Sequence, residues 1–402
     1  MIDRQVYYFD NNATTRVAPE VVEAMISSLR DGWGNPSSAY SFGAQAARQI
    51  DHARAQVATL IGADPKEVVF TSCGTESNNA VLQSALATQP GKRHIVTTAV
   101  EHSAIIKHCE FLQKQGVEVT FVPVDADGLL DLHLLDQSIR PDTALVSVMW
   151  ANNETGMVFP IEEIAAICQS HNVPFHTDAT QVPGKMKIDV RALGVDFLTL
   201  SAHKLHAPKG VGMLYVRRHA KFQPYIIGGH QERGKRGGTE NTASIIGFGC
   251  AAELAQAHLE DENTRVRALR DRLESTILRT IPNTIRTGAK EPRLPNTSNI
   301  AFDFVEAEGI LMALDQLGIC ASSGSACTTG SLNPSHVLTA MGIKPARAKG
   351  CVRFSLGIYN TEQEVDYVLK HLPEVIAHLR QAVPRPPPKP GKHTAKLPAH
   401  AG

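Results

Sequence analysis

The chain has 402 residues, with 40 basic and 40 acidic side chains and a formal charge of zero. That length suggests two domains, or one large domain with a subdomain, and is ample for a sizeable core. The balanced charge leaves no global field to draw a polyanion or an acidic membrane surface, so neither nucleic acid nor membrane is an expected partner.

The stretch from Met1 to Asp10 lacks a signal-peptide apolar core, and no apolar run approaches the roughly 18 residues that span a bilayer. The expected location is cytoplasmic. From residue 64 to about 216, short apolar runs alternate with helical patterns. Strands are predicted at 67–71, 94–98, 117–122, 144–149, 173–176, 197–200 and 211–216. Between them lie helix patterns such as the one opened by Pro160, proline being favoured at a first helical position. This alternation predicts an α/β fold with a mostly parallel sheet covered by helices on both faces. Ligands of such sheets gather beyond the carboxyl ends of the strands. A long helix is predicted over 253–281, where Val266, Leu269, Leu273 and Ile277 recur at three- and four-residue steps, and the change of domain is placed there. A second α/β unit follows, with a strand at 298–304, a helix at 307–317 and a strand at 351–356. Beyond Val383 the chain is proline-rich and basic without an apolar period, which predicts a disordered tail over 383–402.

The seven cysteines include no Cys-x-x-Cys pair, so neither a zinc site nor a secreted disulfide framework is indicated. Reduced thiols are expected. Cys168 shares a helical face with Ile161, Ile164 and Ala165, and Cys109 with Ile105 and Leu112, so both read as core. Cys327 differs. It sits in Ala321-Ser322-Ser323-Gly324-Ser325-Ala326-Cys327-Thr328-Thr329-Gly330-Ser331, a small, polar stretch with no core periodicity. A partly exposed thiol among hydrogen-bond donors is a candidate nucleophile.

Lys204, in Ser201-Ala202-His203-Lys204, follows the apolar run 195–200, and Asp178 and Gln181 follow another strand-like run at 173–175. An acid followed by a strand-end lysine suits pyridoxal 5′-phosphate: the amine forms a Schiff base with the aldehyde and the acid pairs with the ring nitrogen. In Thr71-Ser72-Cys73-Gly74-Thr75-Glu76-Ser77-Asn78 a strand gives way through Gly74 and Thr75 to a helix start, whose N–H groups and dipole favour an anion such as phosphate. Ser201 and His203 add donors for the same group. His102, after the strand at 94–98, is either a helix cap or an imidazole lying over a flat ring. Asn152, after the strand at 144–149, is either a turn asparagine or a donor to cofactor or substrate. The alternation in Val352-Arg353-Phe354 turns Arg353 away from its apolar neighbours, toward either an ion pair or a substrate carboxylate. Residues 228–241 form a glycine-rich loop with three cations that ends near Thr239.

With these residues in order, the chain resembles the cysteine desulfurases, pyridoxal-phosphate enzymes of fold type I among the class-V aminotransferases. The resemblance runs from Tyr8 to about Pro373. It rests on Asp10-Asn11-Asn12-Ala13-Thr14-Thr15, Gly34-Asn35-Pro36-Ser37-Ser38, Glu101-His102, Asn152-Asn153-Glu154-Thr155-Gly156, Asp178-Ala179-Thr180-Gln181, Ser201-Ala202-His203-Lys204, Arg236-Gly237-Gly238-Thr239-Glu240-Asn241 and Ser323-Gly324-Ser325-Ala326-Cys327. Met149-Trp150-Ala151-Asn152, Leu205-His206-Ala207-Pro208-Lys209-Gly210 and Gly229-His230-Gln231-Glu232-Arg233 are most similar to the nitrogen-fixation type. Ala202, where many relatives have glycine, and the proline-rich tail depart from the pattern, but neither touches a reacting atom.

The resemblance implies a large domain at 15–257 with a seven-stranded, mostly parallel sheet. It implies a small domain from 1–14 and 258–382 that carries the cysteine loop. Lys204 would hold the cofactor and Asp178 its ring nitrogen. His102 would stack on the ring and move protons, and Gln181 would bond the phenolate oxygen. Asn152 would contact cofactor or substrate. Gly74, Thr75, Ser201 and His203 would hold the phosphate, with Thr239 from a second subunit of a homodimer. Arg353 would clamp the carboxylate of L-cysteine, and Cys327 would take its sulfur as a persulfide, releasing L-alanine. The implied acceptor is an iron–sulfur scaffold protein, for nitrogenase or for housekeeping clusters. No resident metal is implied, although Cys327 could briefly touch a cluster. A selenocysteine lyase is the alternative activity.

Overall fold

A computed structural model describes residues 5–323 and 334–382. Strands β1 (Tyr7–Tyr8), β2 (Val68–Thr71), β3 (His94–Thr98), β4 (Glu118–Val122), β5 (Thr143–Ser147), β6 (Phe175–Asp178), β7 (Phe197–Ser201) and β8 (Gly212–Val216) come first in the chain. Seven of them form one sheet in the order β2-β8-β7-β6-β5-β3-β4. The four pairings from β7 to β4 are parallel, and β8 runs antiparallel to both its neighbours. The predicted mostly parallel sheet is therefore present, with strand ends that move by a residue or two. The strand predicted at 144–149 ends at Ser147, yet Val148 and Trp150 still donate to the carbonyls of His176 and Asp178.

Both faces of the sheet are buried, which is why its strands read as continuous apolar runs. Val68, Val96, Val146, Leu198 and Met213 enter one core, and their chain neighbours Val69, Ile95, Leu145, Phe197 and Leu214 enter the other. That split follows from successive side chains pointing to opposite faces. The first core is closed by helices Ser41–Ile61, Ile161–Ser170 and Thr242–Ala257, the second by helices Gly74–Ala87 and Ser103–Gln113. Cys109 and Cys168 are buried there as expected, and burial pushes the Cys109 thiol up to about 12.

A separate core lies around β9 (Thr284–Arg286), β10 (Thr297–Phe302), β11 (Ile319–Cys320), β12 (Ser322–Ser323) and β13 (Cys351–Ser355). The antiparallel sheet there has the order β12-β13-β10-β9. Its apolar face packs on helices Arg267–Thr280, Ala307–Gln316 and Glu362–Ala382, with Phe9 from the N-terminal segment. The helix predicted over 253–281 is corrected. Helix Thr242–Ala257 and helix Arg267–Thr280 are joined through Leu259–Asp261 and a π-helical turn, Glu262–Val266. The period that predicted the helix does mark its buried face, since Val266, Leu269, Leu273 and Ile277 are all core. A widened turn changes the hydrogen-bond register without removing any apolar residue, so periodicity cannot reveal it.

Candidate active site

The carboxyl ends of the parallel strands open onto a cavity of about 420 Å³. Gly74, Thr75, His102, Asp178, Gln181, Ser201, His203, Lys204 and Arg353 all line it. The fold thus gathers nine of the residues selected from sequence. They come from strand–helix junctions of one sheet and from β13 of the other.

Lys204 follows β7 in a short 3-10 turn, Ala202–Lys204. Its Nζ donates to the carbonyls of Asn12 (2.5 Å) and Ala13 (2.7 Å). The N-terminal segment is brought there by pairing, with Asp10 bridged to Ser355. Asp178 ends β6 and is almost fully buried. One carboxylate oxygen accepts from Asn78 Nδ2 at 2.7 Å, the other from the Thr180 N–H at 3.0 Å. His102 caps helix Ser103–Gln113, its Nδ1 accepting from the Ala104 N–H at 3.1 Å. Cap and cavity wall are therefore the same residue. That bond leaves the ring proton on Nε2, and burial lowers the basicity of the ring. Burial, and then the cations Lys204 and Lys209, push His203 down to about 4, so its ring is neutral near pH 7.

Gly74 and Thr75 open helix Gly74–Ala87 beside Ser201; a Cβ on Gly74 would meet Thr180 Oγ1 at 3.2 Å. The helix start is an anion site by its free N–H groups and its dipole. Arg353 is buried on β13 with Val352 and Phe354 on the opposite, core-facing side, as the alternation required. Its guanidinium is already engaged, donating to Asp10 (2.6 Å) and to the Asn153 carbonyl (2.9 Å).

Two selected residues stand apart from this cavity, and one lies outside the described residues. Asn152 is consumed by its own turn. Its Oδ1 accepts from the Glu154 and Thr155 N–H groups at 2.9 and 3.0 Å, and its Nδ2 donates to the Val100 carbonyl. Asn153 lines the cavity instead. Thr239 borders a different cavity of about 210 Å³ beside Phe70, Glu232 and Arg236. Cys327 falls outside the described residues.

Sequence reasoning quoted Asn78 and Glu101 within motifs but gave them no role, and it passed over His336. Asn78 lies one turn after Gly74 on the same helix, and that four-residue spacing was a usable signal. Glu101 is fully buried; it accepts from Thr98 Oγ1 (2.7 Å) and the Met149 N–H (2.8 Å), and burial pushes its carboxyl up to about 8. His336 lines the cavity and donates from Nε2 to the Glu101 carbonyl at 2.8 Å. No local pattern could have paired residues so far apart in the chain.

Asn78 Oδ1, Thr180 Oγ1, Gln181 Oε1 and Arg353 Nε are buried around this cavity with no hydrogen-bond partner among the described residues. Buried polar atoms rarely go unpaired, so the cavity is shaped for a polar ligand. A buried carboxylate, an amine and a helix N-terminus match the ring nitrogen, aldehyde and phosphate of pyridoxal 5′-phosphate. Together the sheet and this set of side chains define a pyridoxal-phosphate enzyme of fold type I.

The chain belongs to the class-V aminotransferase family, whose model matches residues 7–368. It is 54% identical over 379 residues to cysteine desulfurase 2 of Trichormus variabilis, covering 94% of this chain and 95% of that one. It is 52% identical over 378 residues to the cysteine desulfurase NifS of Azotobacter vinelandii, covering 94% of each. Among solved structures, a NifS-like protein aligns with a TM-score of 0.88 and 39% identity over 94% of this chain and all of that one (100%). SspA in complex with cysteine aligns with a TM-score of 0.79 and 36% identity, covering 88% and 99%.

Proposed function

We infer that this chain is a cysteine desulfurase that takes sulfur from L-cysteine and releases L-alanine. The observation that carries the reading is one cavity lined by Lys204, Asp178, His102 and Arg353, in a chain about half identical to cysteine desulfurases along nearly its whole length.

When bound, pyridoxal 5′-phosphate supplies an electron sink that acidifies the substrate Cα–H and loosens the Cβ–S bond. The chain supplies everything else. Asp178, held by Asn78 and the Thr180 N–H, would pair with the ring nitrogen and favour its protonated form. Gln181 would face the phenolate oxygen, and Gly74, Thr75, Ser201 and His203 would take the phosphate. Arg353 orients the substrate carboxylate, with Asp10 fixing the guanidinium by an ion pair. Lys204 would anchor the cofactor, and its free amine would hold and move the substrate Cα proton. His102 would cover the ring, and its proton at Nε2 would be the one passed to the substrate.

The Cys327 thiolate then attacks the substrate sulfur. A new S–S bond forms, the Cβ–S bond breaks, and its electron pair takes a proton to become the methyl group of alanine. Substrate and thiol become alanine and a Cys327 persulfide, with no external oxidant. An ordinary thiol has a pKa of about 8.5, so the thiolate is a minority form near neutrality.

On the same reading the acceptor of that sulfur is an iron–sulfur scaffold protein, as in nitrogenase cluster assembly. Thr239 serves the phosphate of a second subunit in a homodimer, which accounts for its distance from this chain's own cavity. Residues 15–257 form the large domain, and 1–14 with 258–382 the small one. The test is an absorbance spectrum before and after L-cysteine, with alanine and sulfide assayed together under reductant. A shifted cofactor band with equal alanine and sulfide supports the reading. Pyruvate in place of alanine would mean β-elimination and remove the role of Cys327.

A further inference from the structure

Behind Lys204 lies a second cavity of about 200 Å³, bounded by residues 183–185 and 204–206, by positions between 254 and 262, by 356–359, and by positions between 11 and 20 that include Glu20. It contains a buried amine and a buried carboxyl, and burial pushes each toward its neutral form, Lys185 down and Glu262 up to about 7. Lys185 and Glu262 are both at least nine-tenths buried and both line it. Each acts electrostatically on the other, yet no nitrogen–oxygen distance between them falls within 4.0 Å, the ion-pair limit. Among the described residues the Lys185 ammonium makes no hydrogen bond, and Glu262 Oε2 is buried without a partner. A buried amine and a buried carboxyl on one cavity wall that make no ion pair with each other are an expensive arrangement unless something bridges them.

The backbone holds the pair apart. Gly184, at φ +75°, turns the chain so that a Cβ there would meet Ala255 Cβ at 3.4 Å, which seats Lys185 against helix Thr242–Ala257. Glu262 begins the π-helical turn Glu262–Val266, a feature that often marks functional positions. The next residue, Asn263, pins that turn by donating to the carbonyls of Lys185 (2.9 Å) and Leu259 (2.8 Å). The remaining wall is partly aromatic, with the His206 and Tyr359 rings edge-to-face at 5.2 Å.

We propose that this cavity binds one small neutral α-amino acid as its zwitterion, carboxylate on Lys185 and ammonium on Glu262. An amine and a carboxyl lining one small cavity complement a molecule carrying both signs, each being charged when its counterpart is bound, whereas a simple anion or cation would leave one of the two unmet. Size agrees: at about 30 Å³ per water-sized group, the space suits a ligand of six or seven heavy atoms such as alanine or cysteine. Lys204 lines this cavity as well as the catalytic one, so an amino acid bound here sits beside the reacting lysine. The site stands without the desulfurase reading, whose failure would show at the other cavity.

The test is equilibrium dialysis of labelled L-alanine against the full-length holoprotein. Two sites per chain are expected, one changing the cofactor spectrum and one spectrally silent. N-acetyl-L-alanine and L-alaninamide, each lacking one charge, should fail to displace the silent alanine. Lys185→Met and Glu262→Gln should each weaken the silent site at least tenfold and leave the spectral site in place. Loss of only the spectral site from the wild-type count would count against the desulfurase reading and leave this one standing. In the Cys327→Ala chain, tighter binding of cysteine would mark the substrate as the occupant and tighter binding of alanine the product; either supports the site. A wild-type chain with no silent site overturns the proposal, whatever the variants do. So does displacement by either single-charge analogue.

Discussion

Replacing Asn78 with alanine isolates one hydrogen bond at the catalytic centre. Asn78 Nδ2 donates to Asp178 at 2.7 Å, inside the cavity and away from bulk water. Hydrogen bonds to charged groups contribute about 1.5–3 kcal/mol. At about 1.4 kcal/mol per tenfold, that spans roughly a 10- to 150-fold change in an equilibrium constant. The bond is already formed without the cofactor. Its loss therefore weakens affinity only as far as the bond preorganises the carboxylate, and the quoted range is a ceiling. Asp178 would keep only the Thr180 N–H and could swing from the ring nitrogen. Asn78→Ala should weaken pyridoxal-phosphate binding by more than about twofold, up to that ceiling. Absorbance titration of the apo chain measures it, with circular dichroism to confirm folding. Affinity within about twofold of wild type would refute the claim that Asn78 places the carboxylate.

Lys204→Ala should abolish the Schiff-base absorbance band; an unchanged spectrum would move the covalent link elsewhere. Cys327→Ala should stay yellow and lose sulfide release, and retained turnover would end its role as acceptor. Glu232 is buried, pairs with Arg54 through both oxygens (2.7 and 2.8 Å) and accepts from the Phe70 N–H, so Glu232→Ala should cost about 3–5 kcal/mol by stranding a buried guanidinium. A denaturation midpoint equal to wild type would contradict that. Glu101 carries the fourth expectation: its folded pKa is raised to about 8 from 4.5, so between those values the unfolded chain has released a proton that the folded chain keeps. Wild-type stability from this group is complete below about pH 4.5 and is lost as pH rises towards 8. The stability of Glu101→Gln relative to wild type should therefore increase with pH across that window in thermal melts, and a constant difference would show that Glu101 does not titrate as burial dictates.

Much of the site was legible because its parts sit at element ends, where local chemistry leaves a signature. Lys204 and Asp178 follow apolar strands, and Gly74-Thr75 opens a helix; each is a short-range fact. The two readings left open at His102 turned out to be compatible, since the cap also lines the cavity. The ion-pair reading of Arg353 holds in a buried form, with Asp10 as partner, 343 positions away. Asn152 shows the opposite outcome, for its motif is spent on a turn and the next residue faces the cavity.

What the sequence by itself determined was the alternation of elements, the two buried faces of the sheet and the chemical types gathered at the strand ends. These depend on interactions between residues near one another in the chain, which periodicity and turn chemistry report directly. Only the tertiary structure decided which distant groups meet: Asn12 and Ala13 carbonyls under Lys204, Glu101 with His336, Glu232 with Arg54, Lys185 across from Glu262. Those pairings come from burying two faces of one sheet and docking a second core against it. The resulting proximity belongs to the packed chain and leaves no mark on any local stretch.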